Sequence, residues 1–138
     1  MKNTYLAIMS TTALICVQRP RFDIYYGCLL QNDGDPTRAG RTLLRNYKKF
    51  YPIYELTQLY ELSELGPSAD TSIAYPQAQS VEPLMFRTTD KMFKYAQQNY
   101  IRYIYLFRLQ HWLCCKVNLG NYFVPLEEVV HSTYSLSY

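Results

Sequence analysis

The stretch Tyr100-Ile101-Arg102-Tyr103-Ile104-Tyr105-Leu106-Phe107 constrains the fold more than any other part of the chain. Its side chains alternate, with Ile101, Tyr103, Tyr105 and Phe107 on one face and Ile104 and Leu106 on the other. Such alternation is a strand buried on at least one side, and a strand of this kind needs both neighbours and a covering layer. Residues 112–117, which open with the lone tryptophan, read as its antiparallel partner across the short connection Arg108–His111. Near the start, residues 13–17 and 22–30 are two further apolar or aromatic runs separated by Gln18-Arg19-Pro20-Arg21, the pattern of a hairpin.

Between these strand regions the periodicity becomes helical. Asn32-Asp33-Gly34-Asp35-Pro36 concentrates turn residues, and Asp35-Pro36 suits a helix entry, with an N-cap acceptor followed by proline at the first helical position. Residues 37–50 place Ala39, Leu43, Leu44, Tyr47 and Phe50 on one side, and Gly40 within that run marks a close backbone approach. Pro52 breaks the pattern, and a second amphipathic helix is expected over residues 53–62, ended by Gly66-Pro67. A short strand at 71–75, a helix over 91–98 capped by Thr89 or Asp90, and a helical turn or strand at 124–130 complete the reading. The expected architecture is α+β: one domain with a small antiparallel sheet packed against two or three helices. Residues 9–130 form that domain, 1–8 an N-terminal extension and 131–138 a polar C-terminal tail.

With 138 residues, 49% of them hydrophobic and 18% charged, the chain can bury a core, which excludes wholesale disorder. No apolar run is long enough for a membrane helix. Lys2 and the apolar residues 5–9 and 13–17 imitate a secretory leader. However, Ser10, Thr11 and Thr12 interrupt that run, and Arg19-Pro20-Arg21 replaces a cleavage site, so a cytoplasmic chain is expected. Cys16, Cys28, Cys114 and Cys115 form no CxxC pair and read as free, mostly buried thiols.

Several short stretches, in consistent order, resemble a family of small proteins common in phages, prophages and their bacterial hosts. They are Met9-Ser10-Thr11-Thr12-Ala13-Leu14-Ile15-Cys16-Val17, Ile24-Tyr25-Tyr26, Asp33-Gly34-Asp35-Pro36 and Gly40-Arg41-Thr42-Leu43-Leu44-Arg45-Asn46-Tyr47. Glu61-Leu62-Ser63-Glu64-Leu65-Gly66 and Tyr103-Ile104-Tyr105-Leu106-Phe107 before Trp112 continue the series, so the resemblance spans about residues 9–117. It implies that Met9 is the family's usual start. Members often carry a Cys-His-Trp-like segment before the Asp-Gly turn. Here Gly27-Cys28-Leu29-Leu30-Gln31-Asn32 stands instead, so no role of that histidine carries over. The family has no settled activity, and the resemblance implies a phage or prophage setting rather than a mechanism.

The chemistry-bearing residues point to binding. Arg38, Arg41, Arg45 and Lys48 or Lys49 recur at helical spacing and form a basic stripe, with Tyr47, Tyr51 and Tyr54 close by. Residues 19–49 hold seven Lys+Arg against three Asp, whereas 55–70 hold four acids and no base, giving the surface a dipolar character. The 15 tyrosines suit interfaces as well as core margins. The turn at Asn32–Asp35 offers oxygens to a cation, but a helix entry accounts for it fully and no metal or cofactor is expected. His111 and Cys114 would point to opposite faces of a strand, and no GxSxG, HExxH, P-loop or dinucleotide fingerprint occurs, so no catalytic residue is assigned. The expectation is an interaction protein that binds a host protein, as an inhibitor of a defence or regulatory factor, with no membrane partner. Its site residues are Arg38, Arg41, Arg45, Tyr47, Tyr51 and Tyr54. The alternative is nucleic acid or a phosphorylated small ligand on the same basic face.

Overall fold

Strand β1 (Ala13–Gln18) is apolar at consecutive positions because both of its faces are covered, and Ala13 through Val17 are fully buried. The computed structural model describes residues 11–76 and 83–136. The expected N-terminal extension 1–8 and the start at Met9 lie outside the described residues. β1 pairs antiparallel with β2 (Tyr25–Leu30), with Ile15 opposite Cys28, so the expected first hairpin is present. Strands β3 (Glu61–Glu64), β4 (Ile73–Ala74) and β5 (Leu84–Phe86) follow, then β6 (Tyr103–Arg108), β7 (His111–Lys116) and β8 (Val124–Pro125).

These make one eight-stranded sheet ordered β4-β3-β2-β1-β6-β7-β8, with β5 beside the first half of β2. The α+β expectation holds, and the sheet is wider than a hairpin pair and mixed. β1–β6 and β2–β3 run parallel, and the remaining pairs are antiparallel. β6 and β7 form the second expected hairpin, closed by Leu109 and Gln110, both at positive φ.

Helices cover both faces. A π-helical turn at Pro36–Gly40 leads into α1 (Arg41–Asn46), and α2 (Phe50–Thr57) follows. These two helices and α4 (Leu126–Leu136) pack Leu43, Ile53, Leu56, Leu126 and Val130 over Ile15, Val17, Tyr105, Phe107 and Trp112. On the opposite face α3 (Thr89–Gln98) lays Met92, Phe93 and Ala96 over Leu14, Cys16, Ile104 and Leu106. The odd and even positions of β1 thus serve two different cores. The N-cap of α3 is Thr88, whose hydroxyl accepts the Lys91 N–H, and neither Thr89 nor Asp90, the two expected candidates, takes that place.

Four element boundaries depart from the sequence reading. The expected helix 37–50 is interrupted after Asn46 by extended backbone at Tyr47. Pro52 lies in the first turn of α2, where a missing N–H costs nothing, so the helix starts before the proline instead of after it. The expected helix 53–62 stops at Thr57. Tyr60 turns the chain at φ 67°, its carbonyl accepts the Leu29 N–H at 2.9 Å, and residues 61–64 become strand β3 alongside β2. The segment after 130 continues as helix to Leu136, where a tail was expected. Gly40 does mark a close approach: a Cβ there would lie 3.1 Å from Leu126 and 3.3 Å from Val130 of α4.

Candidate functional site

The basic stripe begins at the turn that enters the π-helical segment. Asp33 takes a left-handed conformation, and Asp35 occupies the N-cap position with Pro36 just inside. The Asp35 carboxylate accepts the Thr37 hydroxyl at 2.5 Å, and the Arg38 guanidinium pairs with Asp33 and stands 4.0 Å from Asp35. These carboxylates therefore organise the helix entry. No group of three or more His, Cys, Asp or Glu suited to a metal ion occurs among the described residues.

Arg38, Arg41 and Arg45 then line an open groove of about 590 Å³, together with Thr37, Thr42 and Asn46. Asn32, Asp33, Glu64 and Leu65 complete the lining. The Asn32 side-chain amide donates to the Ser63 carbonyl at 3.2 Å, which ties the turn to β3 and fixes the width between these elements. Three cations thus share a concavity with two carboxylates, so the groove is polar with alternating sign. In the sequence Asp33 belongs to the turn that offers oxygens to a cation and Glu64 to the acidic run 55–70, and neither is assigned to the basic stripe. The parallel pairing of β3 with β2 carries Glu64 to the groove.

The tyrosines separate from the arginines. Tyr47 is fully buried and is not part of an exposed recognition surface. α1 ends at Asn46, and the extended backbone at Tyr47 swings its ring into the core, where its hydroxyl donates to the Gly66 carbonyl at 2.8 Å. Tyr51 is exposed, with its ring edge-on to Phe50 at 5.4 Å. Tyr54 is half-buried, stacked on Phe50 at 5.4 Å and edge-on to Tyr26 at 5.1 Å. Neither Tyr51 nor Tyr54 lines the arginine groove. Tyr47→Phe is expected to lower stability by about 1–3 kcal/mol, because it strips the Gly66 carbonyl of its donor. The Arg45 side of the groove should be untouched, and a urea titration beside a binding assay checks both effects.

The remaining nucleophile candidates are not poised for chemistry. All four cysteines are free and buried. Burial pushes every thiol above its ordinary range, Cys114 to about 12. Cys114 joins the core beneath α1, α2 and α4, while Cys115 joins the core beneath α3, as adjacent strand residues must. His111 alternates with Cys114 across β7 and is exposed, so the two do not meet. No described helix is long and apolar enough to cross a membrane. No protein-family model, no curated protein and no solved structure matches this chain.

Proposed function

We propose that this chain is a small interaction protein of phage or prophage type that acts in the cytoplasm by occupying a surface of a host protein. A target in a defence or regulatory system, held in an inhibited state, fits the phage setting that the sequence resemblance implies. The observation that carries the reading is the arginine groove, in which Arg38, Arg41 and Arg45 share a polar concavity with Asp33 and Glu64. Alternating sign favours a partner with matching charges of both kinds, and like-charge juxtapositions would reject other partners. A polyanion would meet the two carboxylates as well, which weighs against nucleic acid. The second reading, a phosphorylated small ligand, draws on the same three arginines, since a guanidinium binds phosphate in a bidentate manner.

The test is capture of partners from the native host by the wild-type chain and by an Arg41→Ala/Arg45→Ala variant, each with and without nuclease. A protein partner that survives nuclease and is depleted at least tenfold with the variant is the expected result. Recovery that disappears with nuclease, and falls steeply between low and moderate salt, would move the groove to nucleic acid. A partner retained in full by the variant would remove the groove from the reading.

A further inference from the structure

A second surface, at the opposite end of β1 from the arginine groove and about 20 Å away along the six-residue strand, carries an inference of its own. β1 and β6 run parallel from Ala13 opposite Tyr103 to Val17 opposite Phe107, so the tips of the two hairpins lie side by side. Between the tips, and reaching Phe50 at the start of α2, is a groove of about 580 Å³. Phe22, Phe50 and Leu109 supply its apolar wall, Arg21 and Arg108 its cations, and Asp23 its carboxylate.

Three independent features mark this groove. The first is exposed apolar area: Leu109 is 82% exposed and Phe22 49%, and Tyr51, at 72%, packs on Phe50 at the rim. The second is backbone conformation. Among the described residues, Arg21 (φ 71°), Leu109 (φ 52°) and Gln110 (φ 68°) are three of the six non-glycine residues at positive φ, and all three line it. A two-residue hairpin turn of this shape is met without strain by Asn-Gly, whereas leucine is penalised by its Cβ and leaves its side chain in water. Strain held in such a place accords with a role for the side chain it presents. The third is charge. The Arg19 guanidinium lies 4.4 Å over the Phe22 ring. Arg21 and Arg108 in the lining, with Arg19 over Phe22, thus outnumber the one carboxylate of the lining, Asp23.

We propose that the paired hairpin tips form a docking groove for an acidic protein segment. That segment inserts a large apolar side chain between Phe22, Phe50 and Leu109 and sets carboxylates against Arg21 and Arg108. The concavity selects a projecting segment over a flat anionic bilayer, and the cation excess selects acidic flanks. The groove is independent of Arg38, Arg41 and Arg45, and the two surfaces succeed or fail separately.

The probe is a random dodecapeptide display library panned against the full chain, followed by anisotropy titration of the most enriched peptide. The expected consensus is a large apolar residue flanked by Asp or Glu. Leu109→Asn separates docking from folding, because asparagine accepts the left-handed turn. Affinity should fall at least tenfold while the melting temperature rises by about 2–4 °C. Phe22→Ser, at an exposed loop position, should weaken binding similarly, as should Arg21→Glu/Arg108→Glu, whereas Arg41→Ala/Arg45→Ala should leave it unchanged. Lack of enrichment, a consensus without acidic residues, or full affinity in Leu109→Asn would overturn the proposal. Binding of vesicles containing phosphatidylserine, lost in Leu109→Asn and without any selected peptide, would overturn it in favour of a membrane surface.

Discussion

Truncating Trp112 to alanine is expected to cost about 3–5 kcal/mol, a large share of the 5–15 kcal/mol typical of a domain this size. The indole is buried in the core beneath α1, α2 and α4, edge-on to Phe107 at 5.3 Å. Its Nε1–H donates to the Tyr47 carbonyl at 2.7 Å, at the break between α1 and α2. One side chain therefore fills the core, holds the β6–β7 hairpin against the helical layer and satisfies a buried carbonyl. The alanine variant loses all three. Trp112→Phe keeps most of the buried ring and should lose about 1–3 kcal/mol, chiefly from the orphaned carbonyl. Urea unfolding followed by circular dichroism measures both. A loss below about 1 kcal/mol for the alanine variant would contradict this packing.

Alkaline pH is expected to unfold the protein. Burial raises the thiols of Cys16, Cys28 and Cys114, and Cys28 adds to the rise at Cys16. In the unfolded chain a thiol ionises near about 8.5. Above that pH the unfolded state releases protons that the folded state keeps, so it binds fewer protons and stability falls as pH rises. Each thiol contributes a slope of about 1.4 kcal/mol per pH unit until its folded pKa is reached, which for Cys114 is about 12. The three together remove about 4 kcal/mol per unit, enough to approach the whole stability within two units. Below pH 8 the thiols are neutral in both states, and this contribution to stability is fully present. Cys115, raised by burial to a lesser degree, adds to the slope; urea midpoints taken from pH 7 to 10.5 test it, and Cys28→Ala should reduce it by about a quarter to a third. A flat profile to pH 10.5 would place the thiols in contact with water.

Much of the fold could be read locally. Residues 13–17 form a strand because five consecutive apolar residues admit burial on both faces. The hairpin of residues 103–116 follows from alternation and a short connection, expected at Arg108–His111 and found tighter, at Leu109-Gln110. Asp35-Pro36 does start a helical segment with proline at its first position, although the Asp35 carboxylate accepts the Thr37 hydroxyl and caps no backbone N–H. Two of the departures have a common cause, a partner distant in sequence. Residues 58–62 carry helical spacing, yet the Leu29 N–H and the edge of β2 draw residues 61–64 into the sheet. Tyr47 has the spacing of the helix before it, yet the helix stops one residue earlier, where the Tyr47 carbonyl receives the Trp112 indole.

The candidate site divides along the same line. That Arg38, Arg41 and Arg45 share a face is a property of helical spacing, so the sequence by itself determined it. Asp33 reaches the groove through the local turn that pairs it with Arg38, whereas Glu64 stands there because strand β3 lies parallel to β2. That Phe22 and Leu109, far apart in the chain, meet at one end of the sheet depends on β1 and β6 running parallel. Periodicity encodes which face a residue takes within its own element, because backbone geometry repeats every two or 3.6 residues. It carries no information on which elements become neighbours, since sheet order is settled by the joint burial of both faces of β1. The arginine stripe therefore belongs to the sequence, and both grooves belong to the tertiary structure.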